Sequence, residues 1–320
     1  MARISFVCPI YNKAAYLPGV IAALGRQAPS HERQFIFIDD GSSDGSLEIV
    51  RDLTRGWPNC EYRYQENQGP ARATNAGFAL AEGDFIKLLG SDDILAPHAT
   101  DILLQAIEIA GAVAVYSRQS YYDKAQDIVF SPVPERLEPQ VLEDAIGYAV
   151  RPGLAGTSQT LFRAQTVRAV GGCDERVFVE DYSLTLRLAL AGPIALLPLV
   201  TAYGPAEDPS RLMVGLRHQA LHDYTLTLAL FLADHPALER KYGREALRVA
   251  AGRAEKWARR EVGNDTLRRR YRWLRFSTYL PLSRRSYVPL MLSTLDPFHE
   301  GAFALRKAIV RKTAEAQAPS

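Results

Sequence analysis

The chain has 320 residues, 47% hydrophobic and 23% charged, a globular balance long enough for one large domain or a domain with an appendage. Its three cysteines, Cys8, Cys60 and Cys173, lack metal-ligand spacing, and their odd number argues against a secreted disulfide framework, so a reduced, cytoplasmic setting is expected. The net charge of +2 hides an asymmetry: from Pro236 on there are 19 Lys and Arg against 8 Asp and Glu, a net of +11, which leaves −9 for residues 1 to 235. An acidic part suits metal binding, and a basic part rich in Tyr, Trp and Leu suits an anionic surface.

The start, MARISFVCPIYN, holds too short an apolar run for a signal peptide. Strand-like runs are expected at residues 4–8, 35–39, 62–65 and 84–89, alternating with helical periodicity at 14–24, 47–53, 71–81 and 98–109. Strand alternating with helix predicts an α/β fold with a mostly parallel, Rossmann-like sheet flanked by helices. Ligands of such sheets sit beyond the carboxyl ends of the strands, so the residues just after each strand should carry chemistry. Those are Pro9, Tyr11 and Asn12, then Asp39, Asp40, Gly41 and Ser42, then Gly90, Ser91, Asp92 and Asp93. In DDGSSDGS, Asp44 or Ser46 can cap the helix starting near Leu47, and an acidic turn with a cap and no function is the plainer explanation of that loop. Two adjacent like charges at the end of a buried strand, as in LGSDDIL, ask for a cation beside them.

From 119 to 156 the pattern weakens to an irregular connection with one short helix near 141–149. A strand at 157–163, a short helix in AQTVRAV, a loop entering a helix in GGCDERVFVEDYSLTLRLALAG and a strand at 194–203 follow. The longest uncharged stretch, Leu188 to Tyr203, is broken by Gly192, Pro193 and Pro198 and makes a poor membrane span. Helices are expected at 211–233 and 237–262, then a basic, aromatic stretch; there are no internal repeats.

CPIYNKAAYL, FIFIDDGSSDGS, ENQGPARATNAGFALAEGDFIKLLGSDDIL and VFVEDYSLTLRLALAG occur in the order and spacing of family 2 glycosyltransferases, and the chain resembles that family over residues 3–203. The resemblance implies the GT-A fold and an inverting sugar transfer from a nucleotide-diphosphate donor, usually with Mn2+ or Mg2+. It places Pro9 and Tyr11 along the base and ribose, Asp40 and Asp39 as hydrogen-bonding partners there, and Arg72 near the donor. Asp92 and Asp93 match the metal-binding aspartate motif, with Asp92 also facing the donor. Glu180 and Asp181 match the pair that holds the catalytic base, with Asp181 as the base and Glu180 as its support or an acceptor contact. A pair of carboxylates that simply caps a helix is the alternative for that position.

The chain departs from the family pattern twice. Gly90 replaces the first aspartate of the motif, which implies a weaker or differently hydrated metal site. After the last strand the family's Arg and His following a tyrosine are absent from TAYGPAEDPSRL. His218 and His222, four apart, are read as a solvated helix face rather than as metal ligands. The domain expectation is a glycosyltransferase domain over 1–210, with a nucleotide-binding half (1–117) and an acceptor half (118–210), and a basic helical C-terminal extension over 211–320. The partners expected are a nucleotide-diphosphate sugar, UDP-sugars foremost, and a glycan or lipid-linked acceptor in bacterial-type polysaccharide or envelope synthesis. RRRYRWLRFSTYLPLSRRSYVPL, 268–290, interleaves arginines and aromatic rings as a peripheral contact with an anionic membrane would at the inner face. Packing on the acidic part or on a second copy of the chain, as a homo-oligomer, is the alternative, and no nucleic-acid partner is expected. A catalytically degenerate nucleotide-sugar-binding scaffold is the second reading of the whole. A nucleotidyltransferase is disfavoured because CPIYNKAAYL lacks a Gly-rich phosphate loop.

Overall fold

The computed structural model describes residues 1–151, 154–206, 217–280 and 286–300. β1 (Arg3–Ile10), β2 (Glu32–Asp39), β3 (Cys60–Tyr64) and β4 (Phe85–Leu88) alternate with α1 (Leu17–Gly25), α2 (Ser46–Leu53) and α3 (Pro70–Leu80). β1, β2 and β4 are largely apolar and buried on both faces, the condition of a parallel sheet with helices on either side, while the edge strand β3 (CEYRY) is half-buried to exposed. β5 (Ile94–Leu95), α4 (Ala99–Ala110), β6 (Ala114–Tyr122), β7 (Gln140–Val141), α5 (Ala145–Val150), β8 (Thr160–Arg163), α6 (Ala164–Ala169), α7 (Glu180–Ala191) and β9 (Ile194–Pro205) follow.

The strands form a nine-stranded sheet in the order β3-β2-β1-β4-β8-β6-β9-β5, with β7 against β9. The long ladders, β1 with β2, β2 with β3 and β6 with β9, are parallel, while β8 runs antiparallel between β4 and β6 over two short ladders. The sheet is therefore mostly parallel, as the alternating pattern predicts.

Strand alternation sorts β1 onto two faces. Ile4, Phe6, Cys8 and Ile10 join Leu17, Val20, Ile21 and Leu24 of α1 and Ile102, Leu103, Ala106 and Ile107 of α4 in one buried cluster. The helical spacing of those side chains is what turns them inward, and each large one contributes about 1.5 to 3 kcal/mol of burial. On the opposite face α3 comes so close to β1 that a Cβ on Gly77 would lie 2.3 Å from Val7 Cγ1.

Two differences from expectation stand out. β6 matches no expected strand, its last residues 119–122 fall in ground read as irregular, and its register shifts on either side of Arg118 against β9. β9 also runs two residues past Tyr203, because Gly204 and Pro205 pair with Tyr121 and Tyr122.

The chain forms two compact units. The first comprises the described residues of Met1–Ala145, Ala155–Cys173 and Arg187–Asp208. The second comprises those of Ile146–Leu154, Asp174–Leu186 and Pro209–Ser320. In the second lie α8 (Arg217–Asp234), α9 (Pro236–Trp257) with a π-helical turn at Ala258–Val262, α10 (Asp265–Ser277), α11 (Val288–Leu292) and α12 (Asp296–Glu300). Trp257, Ala254, Ala258, Tyr271 and Phe298 form an apolar cluster inside it. No helix among the described residues is long and apolar enough to cross a membrane.

Candidate functional site

In the first unit the carboxyl ends of β1, β2 and β4 lie side by side, and the residues beyond them carry the polar groups. Pro9 is half-buried in β1 opposite Ile38, and Tyr11, also half-buried, follows the strand. The next residues join the DDGSSDGS loop. The N–H of Asn12 donates to Ser42 Oγ (2.9 Å), that of Lys13 to Ser46 Oγ (2.9 Å) and that of Ala14 to Asp44 Oδ2 (2.9 Å), while Ser43 N–H donates to Asn12 Oδ1 (2.8 Å). Burial works against ionisation of Asp44, but the hydrogen bonds from Ser46 and Ala14 outweigh it and hold the carboxyl below its usual range. Asp44 and Ser46 thus brace two loops together. The position capping α2 is Gly45, so Ser46 does not cap, whereas Asp44 Oδ1 accepts from the N–H of Ser46, the first residue of the helix, at 3.1 Å.

Asp39 and Asp40 are both buried, at 1% and 4% exposure. Asp40 Oδ1 accepts from Gln65 Nε2 (2.8 Å) and Gln68 N–H (2.9 Å), and its Oδ2 from Gly69 N–H (2.9 Å). These bonds hold the loop that enters α3. Asp39 Oδ1 accepts from Ser42 N–H (2.7 Å), whereas its Oδ2 is buried with no hydrogen-bond partner among the described residues. A buried carboxylate oxygen left unmet costs upwards of about 1 kcal/mol, so a ligand hydroxyl or N–H gains most at this atom. Arg72, half-buried in the first turn of α3, donates from Nη1 to Gln68 Oε1 (3.1 Å) and so belongs to the loop that Asp40 holds.

Beyond β4, the two adjacent aspartates are handled differently. Lys13 Nζ donates to Asp92 Oδ2 at 2.8 Å, with the side chains 7% and 15% exposed. Asp93 accepts from Ser158 Oγ on Oδ2 (2.6 Å) and from Gln119 Nε2 on Oδ1 (2.8 Å). Ser158 Oγ in turn accepts from Gly90 N–H (2.8 Å). Lys87, fully buried in β4, donates from Nζ to the carbonyls of Ser158 and Leu88; burial pulls its pKa down to about 7 against the pull of Asp93. Cys8 lies in the same field, and burial, then Asp92 and Asp93, push its thiol far above the usual range. The cation demanded by the paired aspartates is thus supplied in part by the chain itself.

Gly90 has a local reason. A Cβ there would stand 2.9 Å from Asp93 Oδ2 and 3.3 Å from Ser158 Oγ, so the space of a side chain at 90 is taken by the Asp93–Ser158 pair. For a divalent ion the oxygen donors fit narrowly: both oxygens of Asp93 are engaged, Asp92 is the donor nearest solvent, and no group of three His, Cys, Asp or Glu suited to a metal occurs among the described residues. Ser158, Gln119, Lys13 and Lys87 carry no motif of their own. Their roles depend on contacts 26 to 79 residues apart, which no local pattern signals.

Glu180 and Asp181 belong to the second unit, at the start of α7. Desolvation first, then the charge of Asp181, raises the Glu180 pKa well above the usual carboxylate range. Asp181 Oδ1 accepts from Tyr182 N–H (2.7 Å), and Ser183 Oγ donates to the Glu180 carbonyl (2.8 Å) and accepts from Asp174 N–H (3.0 Å). Tyr182 and Tyr224 pack at 5.2 Å, with the Arg253 guanidinium 5.7 and 5.2 Å from their rings. Burial, then Asp181 and Glu180, push the Tyr224 hydroxyl far above its usual range.

The histidines are not a solvated face. His222 is 4% exposed with Nδ1 2.6 Å from Asp223 Oδ1, and His218 Nδ1 accepts from Trp257 Nε1 at 3.0 Å. Of the departure after Tyr203, Gly204 and Pro205 end β9 and Ala206 N–H donates to the Tyr122 carbonyl (2.8 Å), while residues 207–216 lie outside the described residues.

With this geometry in hand, known proteins can be compared. The model of the family Glycosyl transferase family 2 matches residues 5–164. A relative from Aeromonas hydrophila, an undecaprenyl-phosphate 4-deoxy-4-formamido-L-arabinose transferase, is 30% identical over 131 residues, 38% of this chain and 40% of that protein. The matches to the curated relatives found first span 35% to 40% of their length. Among solved structures, S. aureus TarS 1–349 in complex with UDP-GlcNAc aligns with a TM-score of 0.56 at 15% identity, covering 94% of this chain and 93% of that one. The mannosyltransferase PcManGT of Pyrobaculum calidifontis, in complex with GDP-Man and Mn2+, aligns with a TM-score of 0.55 at 17% identity, covering 92% and 86%. The two structures establish a likeness of fold, and the family match over half of its 320 residues makes this chain a member of glycosyl transferase family 2.

Proposed function

We propose that the chain is an inverting glycosyltransferase that moves a sugar from a nucleotide-diphosphate donor to a glycan or lipid-linked acceptor in polysaccharide or envelope glycan synthesis. The observation that carries this reading is the crevice beyond β1, β2 and β4. There a buried Asp39 oxygen lacks a donor and Asp92 lies against Lys13, so the same place offers an acceptor for a nucleoside and positive charge for a diphosphate. Family membership, the UDP-GlcNAc and GDP-Man complexes of the fold neighbours, and a relative named for undecaprenyl phosphate support the donor class and the acceptor class.

In this mechanism Pro9 and Tyr11 flank the base and ribose, Asp39 accepts from the nucleoside, and Asp40 and Arg72 keep the loop ahead of α3 in place. Lys13 balances charge at Asp92. Asp92 is also the residue that would hold a Mn2+ or Mg2+ ion, whose chemistry when bound is to neutralise the departing diphosphate, while Asp93 lends charge from behind. Asp181 takes the proton of the acceptor hydroxyl as its oxygen bonds the anomeric carbon from the face opposite the leaving group; the carbon–oxygen bond to the diphosphate breaks and its electron pair leaves with the nucleotide. Glu180 stands beside Asp181 as its support, its own carboxyl pushed toward the protonated form by burial and by the neighbouring charge.

A thermal-shift panel of UDP, GDP, TDP and CDP and their sugars, each in Mn2+, Mg2+ and EDTA, tests the donor reading: one nucleotide should raise the melting temperature selectively. Silence across the panel would sink it. Asp181→Asn should then abolish transfer while leaving that shift intact, and product NMR should find the anomeric configuration inverted. The degenerate scaffold, first suggested by Gly90, is the outcome if nucleotide binds and no acceptor is ever glycosylated. The Asp93–Ser158 pair gives Gly90 a local steric reason that does not invoke degeneracy.

A further inference from the structure

α10 turns one face inward and a different kind of face outward. Tyr271 is fully buried beside Trp257 and Phe298, its Oη donating to the Thr294 carbonyl at 3.4 Å, and Leu267 packs on the same cluster. That face fixes the helix to the second unit. On the outside stand Trp273 and Phe276, 64% and 53% exposed, with ring centroids 5.7 Å apart, followed by Tyr279 at 62%. Three large aromatic side chains at a spacing of three residues lie along one side of a helix and the turn after it.

Each of these rings has an arginine one turn before it: Arg269 before Trp273, Arg272 before Phe276, and Arg275 before Tyr279, and all three arginines are exposed. Positions i and i+4 share a helix face, so cation and ring are presented together. Counter-charge is sparse. Arg272 and Arg275 share one carboxylate, Glu255, at 3.7 and 3.6 Å, while remaining 62% and 50% exposed. Contacts that long between exposed groups are worth little and release easily. Arg248 lies over the Tyr279 ring at 4.4 Å and adds a further positive charge at the end of the row.

We infer that this face of α10 is a docking surface for an anionic lipid bilayer, with Trp273, Phe276 and Tyr279 seated at the headgroup boundary and Arg269, Arg272 and Arg275 on lipid phosphates. Charge complementarity selects this occupant: a second copy of the same face would bring three arginines against three. Amphipathic Trp and Tyr rings and long arginine side chains fit a boundary that is apolar on one side and phosphate-rich on the other. The inference goes beyond the proposed reaction and does not depend on it.

The test is flotation of the full chain with vesicles of phosphatidylcholine alone and of phosphatidylcholine mixed with phosphatidylglycerol. The chain should float with the anionic vesicles only, and raised salt should release it. Trp273→Ser with Phe276→Ser should weaken binding about tenfold or more, and Arg269→Gln with Arg272→Gln should remove the preference for anionic lipid. Quenching by brominated lipid should be lost in Trp273→Phe, since Trp257 is buried inside the unit and Trp57 packs on Phe35 in the core of the first unit. Melting midpoints of the same variants without ligand report folding separately, so loss of vesicle binding with an unchanged midpoint belongs to the surface alone. Equal flotation of wild type and the serine double variant overturns the inference. So does a wild type that never floats but forms a dimer which the double variant cannot form.

Discussion

Lys13 and Asp92 make a 2.8 Å ion pair with little exposure on either side, beyond the carboxyl ends of β1 and β4. A charge-assisted hydrogen bond in such a place is stronger than its surface counterpart, and a diphosphate arriving there meets the ammonium as well as any metal. Lys13→Met should therefore weaken donor binding about tenfold in EDTA, measured by calorimetry, with the gap narrowing in Mn2+, because a divalent ion takes over the neutralisation. An equal loss in both buffers would mean that the pair is only a strut. Lys13 also marks where sequence stops being informative. It stands inside CPIYNKAAYL in full view, but its partner is 79 residues on, so its part in the site is visible only in three dimensions. Ser158 and Gln119 are further cases, and Asp39 is the reverse: the motif named it, and only packing distinguished its open oxygen from the fully used carboxylate of Asp40.

At the scale of elements, β1, β2 and β4 and the helices between them were legible because a buried parallel strand reads as a largely apolar run and each helix repeats its apolar side chains every three or four residues, while β3, a polar edge strand, was legible from its tyrosines. β6 was not. Only Ala114 to Tyr116 are buried there, and the register shifts about Arg118 turn the rest into a polar, half-exposed strand without clean alternation. β4 carries the opposite anomaly, a lysine in a fully buried strand. The pKa of Lys87 falls from 10.5 to about 7 on folding, chiefly by desolvation. The unfolded chain then binds the proton more tightly, so between those two values stability rises with pH, by at most about 1.4 kcal/mol per pH unit, and below about 7 the slope vanishes. Urea midpoints of wild type and Lys87→Met across pH 7 to 10 should diverge in that sense. Parallel pH profiles would show that Lys87 stays charged through its bonds to Ser158 and its proximity to Asp93.

At the scale of the whole molecule, the basic C-terminal part is joined to the acidic part by more than one crossing of the chain. The segment Asp174–Leu186, which carries Glu180 and Asp181, is built into the second unit. Arg176 Nη2 donates to Asp234 Oδ2 at 2.5 Å, Phe178 N–H donates to the buried Asp223 Oδ2 at 2.6 Å, and Arg253 lies over the Tyr182 ring. A boundary at residue 210, natural from composition, would strip that segment of these partners and leave buried backbone and side-chain groups unmet. A chain ending at 210 should melt about 5 °C or more below the full chain, and hydrogen exchange should find the amides of residues 174–186 deprotected while those of β1 and β2 keep their protection. On the proposed reading Glu180 and Asp181 would then lose their supports with the extension, and nucleotide binding, assigned to the first unit's residues, should outlast transfer. Unchanged melting and unchanged protection in the shortened chain would instead make the helical part a separable appendage, with Asp181 held by α7 alone.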